Sequence, residues 1–340
     1  MYLRNIFETI SLVVISLCLS IFVYYGFITN MTIETFTIQE FAQKYTDGIF
    51  RYRVLGREIA MFIYHCIHTI PFFSRPDRMM EYLKSDSMTM YHALFILNTL
   101  CTSLCTFILH MISKNTNISL QGISRIFFVL SCTACISITQ YTITPYDTLS
   151  YVFLLSSTLI ILRYNTNRKL MILLLMIHAI GGILTRETYF IFSAFLFALF
   201  LVHKRTFQKG MSIQIPIITV ATSLFVYVAL RVYYGFEEGL YYTGELPQYN
   251  TIKYASLLFF ILIIALLYTH TSSINRRTIR IFFIFSIPYF AVILKSGILA
   301  EARLWVPHIL LTAILSHLNI GTSNHHSMAT HKIMEPLTSK

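Results

Sequence analysis

The chain has 340 residues, of which 56% are hydrophobic and only 12% charged, about half the charged fraction of an ordinary soluble domain. That balance excludes a water-soluble body. The net charge of +11 does not point to nucleic acid, because the basic residues come in twos and threes between apolar runs and form no continuous stripe. All six cysteines lie in or beside apolar segments, which argues against a disulfide framework or a zinc site in a loop.

The first apolar run, Ile6 to Ile28, is preceded only by Arg4 and followed by no small-residue cleavage pattern, so it reads as a retained first helix. A long loop over 29–90 follows. Within it, residues 57–73 are apolar enough to pass for another span. Counting them as one would turn the basic triplets at 163–169, 204–209 and 276–280 outward, against the positive-inside rule. They are expected instead to form a helix lying in the outer interface, where a charged start and an aromatic end fit.

Nine more spans are expected, near 91–113, 124–143, 148–163, 169–184, 188–203, 211–232, 254–271, 281–297 and 304–319. Pro216 and Pro288 are the main helix breakers inside them. Cys132 and Cys135 make a C-x-x-C spacing within a span and read as packing residues. The fold class is thus all-α integral membrane, with about ten transmembrane helices and an outer first loop bearing interfacial helices. Residues 1–320 form one polytopic domain and 321–340 a polar cytoplasmic tail.

With the N-terminus inside, 14 Lys/Arg fall on the inner side and 12 on the outer. Seven of those 12 belong to the long first loop, which carries little weight in the charge rule. Both termini are therefore expected in the cytoplasm. Of the 15 acids, 13 face outward, so the outer side is where acidic chemistry is available.

Four charged groups converge there. The first loop carries Asp47, Arg51, Arg53, Arg57 and Glu58 in YTDGIFRYRVLGRE, and TPYD places Asp147 at the start of the fourth span. LTRETYF puts Arg186 and Glu187 in a tight turn, and LAEARLWVP does the same for Glu301 and Arg303. Charges at helix ends in a bilayer need partners. They either pin helices together or, with arginine's planar fork, hold a phosphate-bearing ligand. Arg53, Asp147, Arg186, Glu187, Glu301 and Arg303, with Asp47, are expected to line one outward-facing cavity. Arg231, Lys253 and Lys295 read as snorkelling side chains, and His308, one turn beyond Arg303, as a packing residue within reach of that cavity.

A first span, a long outer loop carrying an acid, and a run of hairpin spans with RYRVLGRE, TRET and EAR resemble the GT-C class of membrane glycosyltransferases. The resemblance implies glycosyl transfer from a polyprenyl-phosphate-linked sugar to a glycan, lipid or protein acceptor at the extracytoplasmic face of a bacterial inner (plasma) membrane. Asp47 then matches the loop carboxylate that acts as base, with Glu40 as second choice, and the arginines are phosphate ligands. The first loop lacks the Asp-Glu or Asp-x-Asp pair of better-known members, which leaves divalent-metal use and the acceptor open; no other cofactor is implied. The partners implied are membrane lipids, the donor and the acceptor. A transporter or flippase of a lipid-linked or anionic solute, and a non-catalytic membrane subunit, are the competing readings.

Overall fold

A computed structural model of the chain describes residues 2–26, 37–48, 50–70, 85–141, 143–163, 167–203, 212–235, 255–296 and 302–319. Helix α1 (Tyr2–Gly26) is followed by two short helices in the region of the expected first loop, α2 (Ile38–Tyr45) and α3 (Val54–Ile67). Next come α4 (Ser85–Ser113), α5 (Gly122–Ile138), α6 (Asp147–Arg163), α7 (Arg168–Thr185) and α8 (Phe190–His203). The remainder is α9 (Gln214–Tyr234), α10 (Ala255–Thr269), α11 (Ser273–Phe285), α12 (Ile287–Ser296) and α13 (Val306–Ser316). Among the described residues the fold is all helical, apart from an isolated antiparallel bridge between Ile118 and Leu318.

Four helices are long and apolar enough to cross a membrane: Asn5–Tyr24, Thr89–Ser113, Arg168–Thr185 and Gln214–Tyr234. Shorter apolar helices cover Gly122–Ile138, Glu187–His203, Ala255–Thr269 and Val306–Ser316. The longest of these has 17 residues and rises about 26 Å, short of a hydrocarbon core of about 30 Å. The described helices therefore give four spans by length, where the sequence leads one to expect about ten.

Burial separates the long helices into two kinds. The apolar stretches of α1 and α9 are only 22% buried, against 61% for α4. Phe7, Phe22 and Phe225 are 73%, 73% and 75% exposed, which suits a lipid-facing surface and would be costly in water. The core gathers instead around α4, α6, α8 and α13.

The two prolines expected to break helices differ in effect. The expected 281–297 span is divided at Ser286, because Pro288 has no N–H to give the helix and its ring crowds the preceding turn. Pro216, also expected to break a helix, sits in the first turn of α9, where no intrahelical bond is lost.

The turns gather at two ends. At one, Arg125 pairs with Glu8, Asn115 donates to the Leu162 carbonyl, and Asn275 to the Leu318 carbonyl. At the other lie the starts of α6, α8 and α13 and the end of α7, with α3 against them. Gly56 makes that fit, since a Cβ there would collide with the Pro145 carbonyl and the backbone of Tyr146. The loop at 204–209, expected on the inner side, and the expected tail at 321–340 lie outside the described residues.

Replacing Gly56 by Ala should add helix propensity worth about 1 kcal/mol and yet destabilise, because the opposing atoms are backbone and overpacking costs about 1–3 kcal/mol. Thermal unfolding in detergent checks this. A midpoint at or above that of the parent protein would contradict the packing of α3 on the TPYD segment.

Candidate functional site

Asp147 begins α6 and is 3% exposed. The Thr144 hydroxyl accepts from its backbone N–H at 3.3 Å and donates to Oδ2 at 2.7 Å. This local clasp fixes the carboxylate at the helix N-terminus, where the dipole also favours negative charge. Two arginines from distant turns then close on it. Arg186 forms an ion pair with Oδ1, and Arg303 Nη1 donates to Oδ2 at 3.1 Å.

Each arginine is aimed by its own turn. Arg186 ends α7 in an extended conformation, and the next three residues form a single 3-10 turn leading into α8. That turn is locked because Gly182 has no Cβ to obstruct the Tyr189 ring, whose hydroxyl reaches Ser157 at 2.8 Å. Arg303 lies in the turn before α13, where the Tyr151 hydroxyl donates to its carbonyl at 3.1 Å and Tyr289 to that of Leu304 at 3.2 Å. Pro307 then suits the first turn of α13.

A second pair lies alongside. Arg53, 6% exposed, grips Glu187 with Nε at 3.1 Å and Nη2 at 2.5 Å, the two-pronged geometry that makes such pairs strong. Between the two pairs stands the Tyr146 ring, with the Arg53 guanidinium 4.4 Å and that of Arg186 5.5 Å from its centroid. Burial by itself would raise the Glu187 carboxyl, but the Arg53 and Arg186 guanidiniums outweigh it and hold the group down at about 2. Burial would likewise lower Arg53, and Glu187 more than compensates and raises it.

Of the residues expected to meet, Arg53, Asp147, Arg186, Glu187 and Arg303 do so. They form a mutually paired network. Opposite charges in a poorly solvated site close on one another. A half-open apolar pocket of about 300 Å³ is bounded by Phe190, Ile191, Phe197, Val220, Ser286 and Tyr289 among others; Phe190 follows the turn that carries Glu187, and Tyr289 donates to the Leu304 carbonyl beside Arg303.

The remaining candidates are placed elsewhere. Asp47 is solvent-exposed. Glu40 closes a capping box with Thr37, whose hydroxyl donates to Glu40 Oε2 at 2.6 Å and accepts from the Glu40 N–H at 3.2 Å. Arg57 pairs with its neighbour Glu58 at 2.6 Å and donates to the carbonyls of Tyr45 and Arg51 at 3.2 and 3.3 Å, so both serve the loop itself. Arg51 donates to the Tyr234 carbonyl at the end of α9. Glu301 and Lys253 lie outside the described residues. Among the described residues no three His, Cys, Asp or Glu side chains gather as a metal-ligand set.

Two residues take parts that the sequence reading did not give them. Arg231, expected to snorkel, lies 3.9 Å over the Tyr52 ring because the first loop folds back across the end of α9. Tyr146 separates the two ion pairs, and its place beside Asp147 in TPYD was the available signal. His308 is fully buried, stacked 4.6 Å from Phe290 and tilted against Tyr289 at 5.1 Å, so it packs close to the network without joining it. Comparison with family models, with curated proteins and with solved structures gave no match.

A carboxyl held below its unfolded value of 4.5 stabilises the fold fully above that pH and loses the contribution as pH falls toward about 2. Because the Glu187 side chain is 29% exposed, the effect is on the order of 1–3 kcal/mol. The difference in melting temperature between the parent protein and Glu187→Gln should be constant from about pH 5 to 8 and shrink progressively below about pH 4.5. Melting curves across that range would refute the assignment if the difference were flat down to about pH 2.5.

Proposed function

We propose that the chain transfers a glycosyl unit from a polyprenyl-phosphate donor, with the arginine network as the phosphate site. The observation that carries this reading is a charge imbalance beside an apolar cavity. Three arginines (Arg53, Arg186 and Arg303) meet two carboxylates (Asp147 and Glu187), and Arg51 and Arg231 add positive charge at the same end. An arginine excess favours an anion with oxygens for its forks, and the neighbouring cavity of about 300 Å³ suits part of an apolar chain.

In this reading the donor phosphate takes up guanidinium donors of Arg186 and Arg303. An acceptor hydroxyl attacks the anomeric carbon, the bond from that carbon to the phosphate oxygen breaks, and the charge left on the polyprenyl phosphate is stabilised by the fixed arginines. The acceptor proton passes to a first-loop carboxylate. Asp47, exposed and on the same loop as Arg53, is assigned that role. Glu40 is the less suitable base, since its carboxylate is engaged in the α2 cap. The finer topology belongs to the same proposal: about ten crossings, both termini cytoplasmic, and the network at the extracytoplasmic face of a bacterial inner membrane.

Native mass spectrometry with polyprenyl monophosphate and the neutral polyprenol separates headgroup from chain recognition. The phosphate form should bind at least about tenfold tighter, and Arg186→Lys or Arg303→Lys, which keep charge and lose the fork, should erase most of that preference. Asp47→Asn should leave binding intact while lowering transfer by about 10²–10⁴-fold. Equal binding of the two lipids would overturn the phosphate site, and full transfer by both Asp47→Asn and Glu40→Gln would overturn the assigned base.

A further inference from the structure

Along α4 every fourth residue is polar: Asn98, Thr102, Thr106 and His110, with Lys114 one step beyond. Residues four apart share a helix face, and these four are 2%, 0%, 0% and 1% exposed. Each meets a polar group from another segment. Thr148 of α6 donates to Asn98 Oδ1 at 2.5 Å, and Gln140, in the turn after α5, donates to Thr102 Oγ1 at 2.6 Å. Thr106 and Thr133 of α5 share a hydrogen bond of 2.9 Å, and Glu8 of α1 stands 3.8 Å from His110 Nδ1.

The column covers about 18 Å from Asn98 to His110. It ends at a carboxylate–arginine pair on both sides. Thr148 adjoins Asp147 with its two arginines, and Glu8 accepts from Arg125 at 3.0 and 3.2 Å. A dry seam of helix-joining hydrogen bonds would leave few polar atoms over. The Thr102 and Thr106 hydroxyls donate to the carbonyls one turn back, at 2.8 and 2.9 Å, but Gln140 Oε1 and both His110 ring nitrogens are buried without a hydrogen-bond partner in the protein. Internal water ordinarily satisfies such atoms.

Polar and ionisable groups in the interior of a membrane bundle mark ion and proton routes. We propose that the α4 column is a hydrated path that conducts protons between the two ends of the bundle. A proton from the Lys114 end is relayed by the neutral His110 imidazole, one ring nitrogen accepting a proton as the other releases one; the ring faces Glu8 from α1, Arg125 from α5 and Lys114 just beyond its own helix. The proton then moves by exchange among water and hydroxyl oxygens, each accepting one proton and releasing another, and departs at the Asp147 end. Only O–H and N–H bonds form and break, and the driving force is the pH difference or potential across the membrane. This path does not depend on the glycosyl-transfer reading.

The test uses the full-length protein in sealed vesicles enclosing a pH-sensitive dye, with a potassium gradient and valinomycin setting the potential. The protein should accelerate internal pH change by about tenfold or more over empty vesicles. Thr106→Val and Thr133→Val each keep side-chain shape and remove a hydroxyl, and each should cut that rate by about fivefold or more while melting within a few degrees of the parent. Testing both guards against one variant failing to fold. A parent rate equal to that of empty vesicles, or parent-like rates in both variants, would show a dry seam and overturn the path.

Discussion

The structure depends on a requirement set by low dielectric: a carboxylate buried at the end of a helix must be met by cations at fixed places. Asp147 is that group, and its two arginines come from turns 39 and 156 residues further along the chain. Removing one partner of such a buried pair typically costs about 3–5 kcal/mol, so α6, α7 and α13 hold their relative positions at this end or leave a charge uncompensated. The Arg53 pair with Glu187 extends the constraint to the first loop, which thereby covers the same helix ends.

Much of this was legible in the sequence. The charged turns at TPYD, TRET and EAR stood out because charges are rare in so apolar a chain, and the positive-inside count grouped their loops on one side. Five of the residues so identified do meet. The sequence could not show that they neutralise one another, since partner choice depends on turn geometry such as the Gly182–Tyr189 contact. Asp47 ranked above Glu40 in the sequence, but the physical reason is in the structure, where Glu40 is held by a helix cap and Asp47 is left exposed. Capping competes for any carboxylate placed three residues after a threonine, and TIQE carried that signal.

The α4 column was missed for a different reason. Threonine and cysteine are tolerated in apolar helices, so Asn98, Thr102, Thr106 and His110 did not interrupt a run that read as a span. Their four-residue period was present, but hydropathy averages it away. The split at Ser286 shows the opposite case: Pro288 was identified as a breaker, and the structure divides that span there. Pro216 was identified on the same grounds and breaks nothing, because a proline's effect depends on its distance from the helix start.

The proposed anion site rests on the network of arginines around Asp147 and Glu187, and a charge-exchange cycle at Arg53 and Glu187 tests that network most directly. Arg53→Glu and Glu187→Arg should each lower unfolding stability by about 3 kcal/mol or more, since each sets like charges against one another at a site poor in water. The double exchange should restore a large part of the loss, with a coupling energy of at least about 2 kcal/mol. Purely additive losses, with no coupling between the two positions, would contradict the account.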